Sequence, residues 1–224
     1  MSRTRQHALS LFFGAMFVVA LIGQAFAGYV VNNDERTAHG MPDLTFGDFI
    51  TSSDFVVDVA ENWQSEYLQF FLFILATIWL VQKGSPESKR PGDEGIGSDK
   101  EQMIGPEAKP DSPRWARAGG WRSVVYSNSL LIVMGAFFIL SWWAQSVAGT
   151  VVFNQEQVDH GMATVDWWGY ARSADFWNRT QQNWQSEFLA VGSMVALAVY
   201  LRQRGSAESK PVGAPHDKTS ITGE

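Results

Sequence analysis

From Ala8 to Val31 the chain runs 24 residues without a charged side chain, and from Asn128 to Phe153 it runs another 26. No other feature narrows the possible folds as much. At 1.5 Å per residue the first run alone makes a helix of about 36 Å, enough to cross a ~30 Å hydrocarbon core. A segment in lipid must satisfy its own backbone groups, so the spanning form is an α-helix. Arg3 and Arg5 ahead of an apolar stretch ending Ala25-Phe26-Ala27 also suit a cleaved secretory leader. The second run is internal and cannot be one. It keeps Gln145, Ala148 and Gly149 where the first has Gln24, Ala27 and Gly28, so the first run is read as a retained span.

That match belongs to a duplication. Asn62-Trp63-Gln64-Ser65-Glu66 returns as Asn183-Trp184-Gln185-Ser186-Glu187, an offset of 183 − 62 = 121. At the same offset His39-Gly40-Met41 meets His160-Gly161-Met162, and Gly84-Ser85 with Glu87-Ser88-Lys89 meets Gly205-Ser206 with Glu208-Ser209-Lys210. About 30 of roughly 80 positions are identical without a gap, so the repeated unit is one supersecondary motif used twice.

Each unit holds a second, shorter apolar run, Tyr67 to Val81 and Ser186 to Leu201, preceded by a polar loop. In the first loop Phe46, Phe49, Ile50, Val56, Val57 and Ala60 follow three-four spacing, an amphipathic helix suited to the membrane surface. The fold expected is all-α: four transmembrane helices forming two tandem, parallel helical-hairpin repeats with amphipathic segments in the outward loops. Residues 1–84 form the first two-span repeat and 123–210 the second. Residues 85–122, rich in Gly, Pro and charge, read as a flexible linker, and 211–224 as a disordered tail. Lys and Arg set the orientation. The stretch from Gln82 to Arg122 holds eight and the tail from Arg202 holds four, whereas the two hairpin loops hold only Arg36, Arg172 and Arg179. Both termini and the linker are therefore expected in the cytoplasm. Repeats of this sense are parallel, unlike the inverted repeats of many transporters.

Four groups of residues are candidates for a site. Asn62 and Glu66, one helical turn apart, share a face at the outer start of the second span, as do Asn183 and Glu187 at the fourth. A carboxylate at that depth is costly unless paired, protonated or wet, so the four form a candidate polar gate, proton-titrating pair or cation site. The same residues also suit a helix entry held at the headgroups by Trp63 and Trp184. His39 and His160 are candidate metal or haem ligands, set against a plain His-Gly turn. Gln24, Gly28, Gln145 and Gly149 suit close helix packing, beside the small-residue pairs Gly23/Ala27 and Ala144/Ala148. Arg114, Trp115, Arg117, Trp121 and Arg122 make a basic-aromatic collar before the third span, with Trp115 and Trp121 as interfacial anchors.

With no cysteine, disulfides, thiolate metal sites and cysteine nucleophiles are excluded, and a net charge of −6 argues against nucleic acid as partner. No phosphate loop, dinucleotide turn, nucleophile elbow or zinc-protease helix motif is found, so an enzyme is not expected and no cofactor is assigned. Two stretches, Glu61 to Gln69 and Gln203 to Pro211, resemble the signature of a family of small, uncharacterised bacterial integral membrane proteins, a domain of unknown function. That resemblance implies a bacterial inner-membrane location and brings no activity. The expected function is a non-enzymatic structural, assembly or envelope-associated role whose partners are the lipid bilayer, further copies of the chain or other membrane proteins. The alternatives are a small proton or cation channel or transporter using Glu66 and Glu187, and a metal- or haem-binding redox partner through His39 and His160.

Overall fold

The structure, a computed structural model, describes residues 3–220, and every regular element among them is helical. The first long helix, α1, runs Ala8–Ala38, followed by a one-turn helix α2 (Phe46–Ile50) and a long helix α3 (Ser53–Trp79). After two single turns at Asp99–Gln102 and Gly105–Glu107 come α4 (Arg114–Ala118) and α5 (Gly120–Ser127). The set then recurs as α6 (Ser129–Asp159), α7 (Trp167–Ala171) and α8 (Ala174–Tyr200). Every boundary of the second set lies 121 residues after the first, as in 8 + 121 = 129 and 79 + 121 = 200.

Local chemistry fixes those boundaries. Ser52 and Ser173 accept hydrogen bonds from the amides of Phe55 and Phe176 (3.3 and 3.2 Å), capping α3 and α8. The His-Gly-Met triplets end α1 and α6. Gly40 and Gly161 adopt φ of 71° and 69°, Gly40 N–H donates to the Thr37 carbonyl and Met41 N–H to that of Arg36. Gly161 and Met162 make the matching bonds to Val158 and Gln157, and these paired bonds form the left-handed glycine stop known as the Schellman motif. The expected amphipathic stretch is broken at Thr51-Ser52: Phe46, Phe49 and Ile50 belong to α2, whereas Val56, Val57 and Ala60 run on into the second apolar run as one continuous helix, α3. Nothing between Ala60 and Tyr67 breaks it, since the five intervening motif residues all tolerate helical geometry.

Two compact units divide the chain, Met1–Ala60 with Ala144–Arg172 and Glu61–Trp143 with Ser173–Glu224, and each draws on both sequence copies. In the first, Asn33 clamps the segment before α2, accepting from Leu44 N–H (2.8 Å) and donating to its carbonyl (3.2 Å). Asn154 does the same to Val165, at 2.8 Å each way. The clamps seat α2 and α7 over their long helices. Phe49 lies against Gly28, Tyr170 against Gly149, and both aromatics are almost wholly buried.

In the second unit the two Gly-Ser-x-Glu-Ser-Lys segments fold on themselves. Ser88 and Ser209 accept from the amides of Gln82 and Gln203, and each lysine reaches forward to a backbone carbonyl oxygen, Lys89 to that of Gly95 and Lys210 to that of Pro215. Lys210 is buried and donates to the carbonyls of Pro215, His216 and Lys218 at 3.2, 3.0 and 3.1 Å. Thr219 then accepts from Gly84 N–H (2.9 Å) and Ser220 N–H donates to the Ser85 carbonyl. These bonds tie residues 211–220 of the tail to the end of the first copy, and residues 221–224 lie outside the described residues.

Among the described residues two helices, α1 and α6, are long and apolar enough to cross a membrane. The equally regular α3 and α8 do not meet that measure. Their first halves mix apolar residues with acidic and amide ones, and an uninterrupted apolar run comes only in their later turns.

Candidate functional site

The two copies of the Asn-Trp-Gln-Ser-Glu motif meet. Trp184 Nε1 donates to Gln64 Oε1 at 2.7 Å, and Gln64, with no exposed surface, donates from Nε2 to the Glu61 carbonyl at 3.1 Å. A buried amide bonded at both ends in this way is a fixed node rather than a mobile group. Trp142 stands beside it, its ring centre 6.0 Å from that of Trp184, 5.9 Å from Phe176 and 6.0 Å from Trp177. Its indole Nε1 lies 3.4 Å from Thr180 Oγ1, a buried hydroxyl. Arg179 flanks the cluster between Glu61 (3.6 Å) and Asp175 (3.3 Å).

Glu66 and Glu187 end the motif copies. Glu66 is exposed and Glu187 half-buried, and the two carboxylates lie within each other's electrostatic reach. Asn62 is exposed; Asn183 is half-buried and donates to the Arg179 carbonyl at 3.0 Å. Identical residues thus take different environments. Gln64 and Ser65 are buried, whereas their counterparts Gln185 and Ser186 are exposed.

His39 and His160 occupy equivalent places, each exposed with Nδ1 2.8 Å from the carbonyl four residues back, Glu35 or Glu156. The ring completes the helix stop made by the following glycine. No group of three or more metal-capable side chains occurs among the described residues.

Of the packing candidates, Gly28 and Gly149 are sites of close approach. A methyl group at Gly149 would stand 2.5 Å from the Tyr170 hydroxyl, and one at Gly28 2.9 Å from Phe49 Cζ. Gly23 and Ala27 are exposed instead. Gln145 is fully buried, and neither end of its amide has a hydrogen-bond partner among the described residues; Gln24 is half-buried. The candidate anchors Trp63, Trp115 and Trp121 are exposed, and Trp184 is turned inward onto Gln64.

Several residues that build these features carried a signal in the duplication that spacing alone did not reveal. Asn33/Asn154, Ser52/Ser173 and Gln64 are identical between copies, and each makes a structural bond. Trp142 carried none, because its counterpart is Leu21. An open cavity of about 630 Å³ lies elsewhere in this unit, lined by Ile74, Ile78, Leu130 and Leu131 together with the linker residues Ile96 and Met103.

No curated protein and no solved structure matches this chain. A model of one family does match, over residues 1–221, and the chain belongs to that family, described as a domain of unknown function (DUF6766).

Proposed function

We propose that the protein is a non-enzymatic component of the bacterial inner membrane, crossing it four times as two like-oriented hairpins. Its role on this reading is structural or assembly-related, acting through its lipid-facing helices and outer surface on partner helices or further copies of itself. One observation carries it. In α6 the buried residues are Ser141, Gln145, Ser146, Ala148 and Gly149, whereas Ile139, Leu140 and Trp143 remain about 60% exposed. In α1 the one buried residue is Ala25, and Leu9, Phe13 and Val19 remain 73%, 62% and 67% exposed. Small and polar residues inside with large apolar residues outside is the reverse of a water-soluble core, and it is the pattern expected when lipid is the solvent. The recurrence of helix boundaries at one offset supports the paired-hairpin plan. The distribution of Lys and Arg supports cytoplasmic termini.

Single cysteines at Ala38, Pro110, Asp159 and Thr219, probed on intact cells with an impermeant thiol reagent, test the crossing plan. Labelling at Ala38 and Asp159 alone is expected; labelling at Pro110 and Thr219 alone would overturn it. For the role itself, a photo-crosslinking residue placed at Leu140 or Trp143 is expected to trap a second copy or another membrane protein. Trapping lipid alone at both positions would remove the basis for an assembly role.

A second reading, a path for protons or cations, is favoured by the field of Glu66 acting at Glu187, since a carboxylate in the field of another favours a cation beside it. It predicts ion flux in proteoliposomes that is lost in Glu66→Gln/Glu187→Gln. Absence of flux for protons, sodium and potassium would leave the structural reading alone.

A further inference from the structure

We infer that α4 and α5 form a docking surface for anionic phospholipid headgroups, an inference that rests on the membrane reading above. The two short helices are joined at Gly119 and Gly120, whose positive φ (67° and 58°) turns the chain sharply. Ser123 Oγ donates to the Ala116 carbonyl at 3.1 Å and closes the pair. Ala116 and Ser123 are both buried, so they mark the inward face of each helix.

With those faces fixed, helical spacing places Arg114, Trp115 and Arg117 on the outer side of α4 and Trp121, Arg122, Val124 and Val125 on the outer side of α5. All seven are exposed, Trp121 at 66% and Val124 at 62%. The two indoles meet edge to face at 5.8 Å, and the Arg122 guanidinium lies 5.6 Å from the Trp121 ring centre. None of the three arginines is ion-paired to a carboxylate among the described residues, and neither α4 nor α5 contains an acidic residue. The surface therefore combines three uncompensated cations with two amphipathic rings. Only Asn128 separates it from α6, which among the described residues is one of two helices long and apolar enough by themselves to cross a membrane, so it sits where that helix enters the headgroup layer.

Charge complementarity selects the occupant. Tryptophan at this depth is indifferent to headgroup charge, whereas guanidinium groups close to the surface favour the anionic lipids of the cytoplasmic leaflet, and they fork onto phosphate oxygens. An acidic protein segment would meet the same cations, but it would leave the exposed indoles and valines without an apolar medium.

The full chain, reconstituted in phosphatidylcholine vesicles, is titrated with brominated phosphatidylglycerol or brominated phosphatidylcholine, and tryptophan quenching is followed. The share due to Trp115 and Trp121 is the difference from Trp115→Phe/Trp121→Phe. That share is expected to be half-quenched at a mole fraction of the anionic lipid about fivefold lower, or lower still, than of the zwitterionic one. The preference should vanish in Arg114→Gln/Arg117→Gln/Arg122→Gln and persist in the matching triple lysine variant, with unchanged helical circular dichroism in both. Equal quenching by the two lipids would overturn the inference. So would quenching confined to the other tryptophans, which would leave an acidic protein as the occupant. No quenching of any tryptophan would instead bring down the membrane reading itself.

Discussion

At the scale of single residues, the shared glycines are not alike. Gly149 faces the hydroxyl of Tyr170, which is 1% exposed and cannot swing aside, whereas Gly14 has open space around the position of a Cβ. Gly149→Ala is expected to cost about 1–3 kcal/mol and to lower the thermal midpoint in detergent by several degrees. Gly14→Ala should be neutral or slightly stabilising, because alanine is the better helix former. Equal effects would mean that Tyr170 does not sit over Gly149. Gln145 presents the opposite case, a buried amide with neither end bonded among the described residues. Replacing it with methionine removes a desolvated polar group at similar volume and is expected to hold or raise the midpoint. Glu87 brings pH dependence. Burial, then the charge of Glu208 and a hydrogen bond to it, raise the Glu87 carboxyl above its ordinary value of 4.5. Above that pH the unfolded chain releases a proton that the folded chain retains, so the contribution of Glu87 to stability is full below 4.5 and is lost as pH rises through the raised value. Thermal midpoints measured across that window should decline in the wild type and lose most of the slope in Glu87→Gln.

At the scale of elements, the long helices were legible and their ends were less so. Charge-free length marks α1 and α6 without ambiguity, because a run of that kind has few alternatives to a helix. The start of α3 at Ser53 was hidden, since three-four spacing runs on from Phe46 to Ala60 across the break at Thr51-Ser52. The His-Gly-Met triplets illustrate the converse. Their sequence allowed either ligands or plain His-Gly turns, and what the backbone adds is a helix stop at each, with the ring Nδ1 beside a carbonyl of its own turn. The meeting of Trp184 with Gln64 follows from tertiary packing of non-equivalent copies, and no pattern within one copy encodes it. The asparagine clamps were visible as identities, without their purpose. Asn154→Ala removes both bonds to Val165, and it should cost about 1–2 kcal/mol while leaving helix content unchanged. Proteolysis between His160 and Val165 should quicken, since that segment loses its tether to α6; unchanged cleavage would show that Tyr170 alone holds α7 in place.

At the scale of the whole molecule, the decisive contacts of the second unit join one sequence copy to the other. Trp184 bonds Gln64, Tyr67 stacks on Phe137 with ring centres 4.8 Å apart, and Phe71 lies against Gly135. Arg179 pairs with Glu61, and the tail returns through Thr219 and Ser220 to Gly84 and Ser85. A chain divided between Lys109 and Pro110, both exposed, keeps all of these and gives up the covalent tether and the local turn bonds between Lys109 and Ser112. The two pieces, co-expressed with a tag on one, are therefore expected to purify together from solubilised membranes. Trp184→Phe should weaken that recovery more than Arg179→Ala. The first leaves the buried Gln64 carbonyl without a donor, whereas the second removes a half-exposed ion pair worth about 0–1 kcal/mol. If the pieces separated while each remained in the membrane fraction, the linker would be what holds the two copies together, and an assembly role would have to rest on the exposed apolar faces of α1 and α6 alone.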